Sequence, residues 1–429
     1  MSEQANDGCA AGFGTRLIGC VDDMVLPIVM HDFTEAARRC VLVDKTMFIA
    51  DVLDCDASVV VCCRPEGFGK SMNLSMLKAF LERPAVGPAD RSQFAGSRIW
   101  DADGGRYRGE YACYPVVSLD FSGAAGSGVV VAGVVRDALS SECVRLLPFL
   151  EAPDLPRDKV RHIERVARGA ANEDEVDSVL AVLIELLEMA FDEQVVLLVD
   201  GYDAAWLSRA GIRGTRDDGS AELLDRVLFD AIVAAGDSMR LACLVGERPG
   251  PAEAALALRG CSYCSATPLS TWCDRWFGFS DAEVEALLSH AGREEYLDDA
   301  REWLEGYRFG GAYCSSPARV IGFLDRGCTP PVRADLYGYA DCLSRVVGDW
   351  NLDRLSVLFD LLEAHGCVEV PLCLGAAGSD EAHADDIWAA LYLSGFLTTD
   401  MTEEAGNGVC LRALRLPNNE LRQALRLVI

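Results

Sequence analysis

Four residues within one short stretch have the types and spacing to hold a phosphate chain: Gly67, Gly69, Lys70 and Ser71. Glycines let backbone N–H groups close around phosphate oxygens, and a helix starting there turns its positive end toward them. In this pattern the lysine reaches the outer phosphates and the serine hydroxyl ligates magnesium. A fifth residue, Asp200, ends the apolar run Val195 to Val199. A carboxylate at the tip of such a strand is the Walker B arrangement, which holds the magnesium. It stands at the strand end where α/β sheets place ligands. ATP and Mg2+ are the ligands this pair of motifs calls for.

The loop needs a strand before it and a helix after it. Val59 to Cys63 is an apolar, largely β-branched run that reads as a buried strand, and Met72, Leu74, Met76, Leu77 and Phe80 recur at helical spacing. The full loop pattern places a glycine five residues before Gly69, and Arg64 stands there instead. A helix N-terminus with a chance Gly-Lys-Ser would look similar. Strand, glycine turn and helix in that order favour a P-loop. For Asp200 the plain alternative is a turn aspartate after a buried strand, and the loop upstream favours Walker B.

Length and charge narrow the function classes. A chain of 429 residues buries a large core and is expected to form two or three domains. Hydrophobic residues at 50% and charged residues at 25% describe a globular protein rather than a disordered one. The 39 Lys and Arg against 67 Asp and Glu leave a net charge of −28. Such a field repels nucleic acid as a general partner, and it also penalises a nucleotide polyanion, so a nucleotide site needs strong local compensation. No apolar run reaches membrane-spanning length and the N-terminus lacks a basic-then-apolar leader, so a cytoplasmic location without a membrane partner is expected. The 18 cysteines read mostly as buried small hydrophobes. Cys261 and Cys264 form one Cys-x-x-Cys, no second pair has zinc spacing, and the five histidines are scattered. No structural metal is expected.

In chain order, residues 1–24 are rich in Gly, Ala and small polar side chains and are expected to be a flexible lead-in. Asp32-Phe33 opens a helix, and Asp44-Lys45-Thr46 reads as the capped start of a second. Residues 115–121 read as a strand, a long helix runs toward Leu147, and 150–172 is charged and irregular. Val176 to Phe191 is helical, then comes the acidic-tipped strand, a helix (Ala221 to Ala235) and a strand (Arg240 to Val245). Gly246 to Pro251 breaks the pattern. This alternation predicts an α/β fold over 25–270, a parallel sheet with helices on both faces. A helical, lid-like subdomain is expected over 271–333. The mainly helical segment 334–429 carries two short strands, Gly395 to Asp400 and Val409 to Leu416, before a last helix. Helices followed by such a hairpin resemble a winged-helix module.

Several phrases together resemble the bacterial AAA-ATPase-like family, whose P-loop NTPase domain is often joined to a PD-(D/E)-x-K nuclease-like domain. They are Leu26-Pro27-Ile28, Val43-Asp44-Lys45-Thr46-Met47-Phe48-Ile49, Arg64-Pro65 with Phe68-Gly69-Lys70-Ser71, and Asn73-Leu74-Ser75-Met76-Leu77. Asp200 with Tyr202-Asp203, Phe277-Gly278-Phe279, Gly306-Tyr307-Arg308-Phe309-Gly310, Leu393 to Thr398 and Leu416-Pro417-Asn418 continue the series. The resemblance implies a P-loop NTPase fold, and Arg64-Pro65 is that family's form of the loop. It implies nucleotide contacts from Arg64, Pro65, Gly67, Phe68, Gly69, Lys70, Ser71 and Met72, with Ser71 and Asp200 at magnesium. No nuclease-like domain follows Leu416-Pro417-Asn418 before Ile429, so a nuclease role is not expected.

Three departures bear on activity. The family's loop carries two basic residues after Arg-Pro, and Glu66 and Gly67 stand there. The family's Asp-Glu-Tyr-Asp is here Asp200-Gly201-Tyr202-Asp203, which removes the glutamate that orients the attacking water. A positioned base contributes roughly 10²–10⁴-fold, and Asp203 is the expected stand-in. After the 240–245 strand the family has glycine and then basic residues, whereas this chain reads Gly246-Glu247-Arg248. Arg248 is either a displaced phosphate sensor or the sensor is lost. The resulting expectation is ATP–magnesium binding at a degenerate P-loop with weak or absent hydrolysis. The alternative is a pseudo-ATPase, a scaffold for an unidentified protein partner. A third reading keeps turnover, with Asp203 or a neighbouring subunit supplying the base. Arg308 either reaches toward the nucleotide or lies in a helix-ending turn among packed aromatics.

Overall fold

The computed structural model describes residues 15–20, 25–28, 30–85, 87–124, 128–207, 220–332, 336, 338–339, 342–343, 346, 352–372, 374, 387–400 and 410–428. A short antiparallel ribbon comes first, β1 (Leu17–Gly19) on β2 (Val41–Val43). Strand β1 lies inside the stretch expected to be a flexible lead-in, and Ile18 is buried. The small residues around it hid a three-residue apolar strand. Between the two strands, α1 (Phe33–Arg39) starts at Asp32, whose carboxylate accepts from Glu35 N at 2.7 Å.

The central sheet is built from β3 (Val59–Cys63), β4 (Val116–Asp120), β5 (Val195–Asp200), β6 (Met239–Gly246) and β7 (Tyr263–Ala266). Their order is β4-β5-β6-β3-β7 and every pairing is parallel. A parallel sheet is covered on both faces, so its strands are continuous apolar runs; each residue of β3 is buried. One face packs Val59, Val61, Leu197 and Val199 against helices Gly128–Leu146, Glu173–Phe191 and Pro249–Leu258. The other packs Val60, Cys62, Leu198 and Val245 against α1, α2 (Met47–Leu53) and α3 (Lys70–Leu81). This is the expected α/β layering.

Two expectations of irregular chain are corrected. Within 150–172 a helix runs over Arg157–Ala167, because Val160, Ile163 and Val166 form a single buried row among charged residues. Past Gly246, a helix over Pro249–Leu258 and the strand β7 complete the sheet. Pro249 opens that helix, where its missing N–H costs nothing. Strand β7 sits at the sheet edge with Ser and Cys in place of branched residues, so it carries no clear strand signal.

Beyond the sheet, helices Asp281–His290, Leu297–Leu304 and Pro317–Asp325 share one apolar cluster. The Gly306–Gly310 phrase forms a hairpin instead of a helix end, β8 (Glu305–Phe309) on β9 (Ala312–Ser315). Toward the C-terminus, β10 (Val368–Leu372), β11 (Thr398–Thr399) and β12 (Cys410–Arg415) make an antiparallel sheet in the order β10-β12-β11. Helix Asn419–Val428 follows. The apolar cluster of this region joins Tyr307 and Phe309 of the hairpin to Leu391, Phe396 and Leu414, so it crosses the boundary expected at 333/334. It also takes in Phe68 from the glycine loop. Among the described residues no helix is long and apolar enough to cross a membrane.

Candidate functional site

The loop between β3 and α3 opens onto a cleft of about 1350 Å³. Gly67 and Gly69 adopt φ of +83° and +82°, a left-handed backbone that side chains disfavour. Two such turns fold the chain so that its amides point inward. Asn73 N is the first amide of the helix to find a backbone acceptor, Gly69 O at 2.9 Å. Among the described residues, the N–H groups of Gly67, Phe68, Gly69, Lys70, Ser71 and Met72 donate to no acceptor. All six residues line the cleft. A Cβ built on Gly69 would meet nothing within 4 Å, so the space above the loop is open.

The loop is held from behind. Gly67 O accepts from Ser316 Oγ at 3.0 Å and from Ala318 N at 3.2 Å. Phe68 inserts edge-on against Tyr307 and Phe309, each ring centroid 4.9 Å away. These contacts hold the Gly67 carbonyl and the Phe68 ring on the side away from the cleft lining. Phe68 therefore touches the cleft through its backbone, and its ring is an anchor.

Arg64 was expected among the nucleotide contacts, and the structure gives it another place. Its side chain is fully buried. Nη1 donates to Cys63 O and Ala266 O at 2.7 Å each, and Nη2 reaches Cys273 O at 3.4 Å. The guanidinium lies between the rings of Phe277 (5.1 Å) and Phe309 (4.9 Å), and burial lowers its pKa. Arg64 stitches the ends of β3 and β7 together beneath the loop. Pro65 packs against the Gly395 turn, where an added Cβ would sit 2.8 Å from the proline ring. Both act on the loop as supports.

Lys70 Nζ donates to Arg64 O at 2.8 Å and Pro65 O at 2.9 Å. An ammonium carries three protons, so one remains for a ligand in the cleft. Ser71 hydrogen-bonds the carboxylate of Asp200, and burial raises the Asp200 pKa against the opposing pull of Ser71 and Lys70. The pair meets because β6 alone separates β3 from β5. Among the described residues no three His, Cys, Asp or Glu side chains form a metal cluster. A hydroxyl beside one carboxylate suits magnesium, which keeps waters and takes further oxygens from bound phosphates.

Asp203, the expected stand-in base, is 1% exposed. Its Oδ2 accepts from Glu247 N at 2.9 Å and Arg248 N at 2.7 Å. That oxygen clamps the turn after β6, while Oδ1 is buried at the cleft lining with no hydrogen-bond partner among the described residues. Tyr202 supports the same turn through its hydroxyl, which donates to Arg248 O. Arg248 lines the cleft; burial lowers its pKa, and among the described residues no ion pair engages it. Glu247 also lines the cleft, and burial raises its pKa, with Lys70, Asp203, Glu66 and Arg248 as the charges acting on it.

Other cleft residues were missed from sequence. Pro27, Ile28, Met30, Phe279, Ile321 and Gly322 also line it, apolar residues distant in sequence from the glycine loop. Ile28 is 44% exposed despite its size. Leu26-Pro27-Ile28 stood out only as a phrase, because nothing local ties it to the loop. Arg308 does not line this cleft. Its guanidinium engages Gly310 O and Asp400 O and lies over the Tyr313 ring. Packed aromatics describe that phrase. Asp44 is likewise no helix cap: Oδ1 holds Thr46, Oδ2 takes Arg98 N, and Lys45 pairs with Glu283 at 2.7 Å.

Strand order, an acid beside the loop serine, and a loop of unpaired amides agree with what the family search finds. The family model described as "Predicted AAA-ATPase" matches residues 27–247, just over half of the chain, and spans the loop and the tips of β4, β5 and β6. No curated protein matches the chain. The chain belongs to this AAA-ATPase-like family.

Proposed function

We propose that the protein binds ATP with magnesium at the glycine loop and hydrolyses it slowly. The observation that carries this reading is the run of six amides, Gly67 to Met72, with no acceptor among the described residues. Such donors at a helix N-terminus fit phosphate oxygens. Lys70 and Arg248 supply positive charge, and Ser71 with Asp200 would hold the magnesium, whose part is to neutralise phosphate charge. The apolar lining residues Pro27, Ile28, Phe279 and Ile321 would take the adenine. The alternative, a scaffold without nucleotide that meets a protein partner, draws on Glu66 and Glu247, two carboxylates on the cleft where the family carries cations.

Titration calorimetry with ATP, with and without magnesium, separates the two. Binding is expected with magnesium and much weaker in EDTA. Removing a charge-assisted contact costs roughly 1.5–3 kcal/mol, so Lys70→Ala should weaken binding by about tenfold or more. No heat at millimolar ATP would reject the nucleotide reading and leave the scaffold.

A further inference from the structure

The structure leaves no room for the missing glutamate and places another carboxylate beside the gap. Gly201 has φ +66°, and a Cβ there would lie 2.6 Å from both N and Cα of Ser122. The backbone after β4 occupies the volume that a side chain at 201 would need. Ser122 donates to Asp120 Oδ1 from its N (2.9 Å) and its Oγ (2.6 Å). Asp120 ends β4 in direct register with Asp200 at the end of β5. Registered neighbours in a pleated sheet project to the same face. Asp120 is exposed, lines the cleft, and acts electrostatically on Asp200. Among the described residues its Oδ2 has no partner. Asp203, by contrast, is 1% exposed and its Oδ2 is fixed by two backbone amides, so a water reaches it less readily than it reaches exposed Asp120.

We propose that Asp120 is the general base for ATP hydrolysis at this site, positioned by Ser122 in the space that Gly201 vacates. The proposal rests on the nucleotide reading above. Asp120 Oδ2 accepts a proton from water as the water oxygen bonds to the γ-phosphorus. The bond from that phosphorus to the β–γ bridging oxygen breaks, and its electron pair stays on ADP. The proton then passes from Asp120 to the released phosphate or to bulk water. A short aspartate on a strand tip reaches less far than a glutamate, which fits slow turnover.

The test uses the full chain and two readouts, phosphate release at saturating ATP–magnesium and the Kd by calorimetry. Asp120→Asn should lower kcat by about 10²-fold or more, with a Kd equal to or tighter than wild type. Asp120→Glu, which keeps the base, should retain more activity than Asp120→Asn, and Ser122→Ala should fall between. Wild-type kcat in an Asp120→Asn protein that binds ATP–magnesium overturns the proposal. So does a wild type that binds ATP–magnesium but turns over no faster than Lys70→Ala. Absence of ATP–magnesium binding overturns the nucleotide reading itself, and this assignment with it.

Discussion

Replacing Glu66 and Glu247 together by glutamine is expected to raise the affinity for ATP–magnesium at the proposed site by roughly thirtyfold. A unit charge about 8 Å from a phosphate, at an effective dielectric of about 20–40, is worth roughly 1–2 kcal/mol, or about tenfold in affinity. Glu247 is half-buried on the cleft wall, so the full factor applies to it. Glu66 is exposed, and solvent and salt screen it, which leaves about threefold. Calorimetry on the two single variants and the double checks both the size and the order. A double variant that binds no more tightly than wild type would mean that neither carboxylate faces the phosphates.

The same carboxylate makes affinity depend on pH with a defined sign. Burial raises the pKa of Glu247 above the ordinary glutamate value. Above that raised value it is charged and repels the polyanion; below it the repulsion is gone. Nucleotide affinity relative to Glu247→Gln therefore falls as pH rises through the Glu247 pKa. The ratio of the two proteins isolates this residue, since Asp200 also titrates from a raised pKa and its deprotonation favours magnesium. The stability contribution runs the same way. The folded pKa exceeds the unfolded one, so folding is favoured at low pH, and that advantage is lost as pH rises from the unfolded value through the folded one.

Local signals carried the core of this site, and long-range ones did not. Gly67, Gly69, Lys70 and Ser71 are legible because strand, turn and helix are continuous in sequence, and Asp200 because an apolar strand ends on it. Arg64 sits in the loop by number, yet its partners, Ala266, Cys273, Phe277 and Phe309, are some 200 residues away. Only the fold shows that its charge is used beneath the loop. Asp203 looked available beside Asp200, but three residues of turn rotate it into the β6 corner, onto the amides of 247 and 248. Asp120 was passed over as one more residue of a strand, since its register with Asp200 is a property of the sheet. The edge strand β7 went unseen for want of branched residues, although without it Arg64 would lose the Ala266 carbonyl.

Restoring the family's glutamate by Gly201→Glu should destabilise the protein without raising turnover. Two costs add. A side chain at φ +66° is strained by about 1–2 kcal/mol. The Cβ meets backbone atoms of Ser122 at 2.6 Å, which cannot rotate away as a flexible side chain could, and overpacking of this kind costs roughly 1–3 kcal/mol. The total, about 2–5 kcal/mol, corresponds to a Tm lower by roughly 5–15 °C for a domain of this size. Gly201→Ala carries most of the penalty, because the Cβ causes it. Ser122 must retreat to admit either side chain, and its two hydrogen bonds to Asp120 go with it, so hydrolysis should fall in Gly201→Ala as well. A stable Gly201→Glu protein with turnover raised toward the 10²–10⁴-fold of a well-placed base would show the opposite: a vacancy waiting to be refilled. With the Ser122 backbone packed against Gly201, the reversion has to displace that backbone as well as supply the carboxylate.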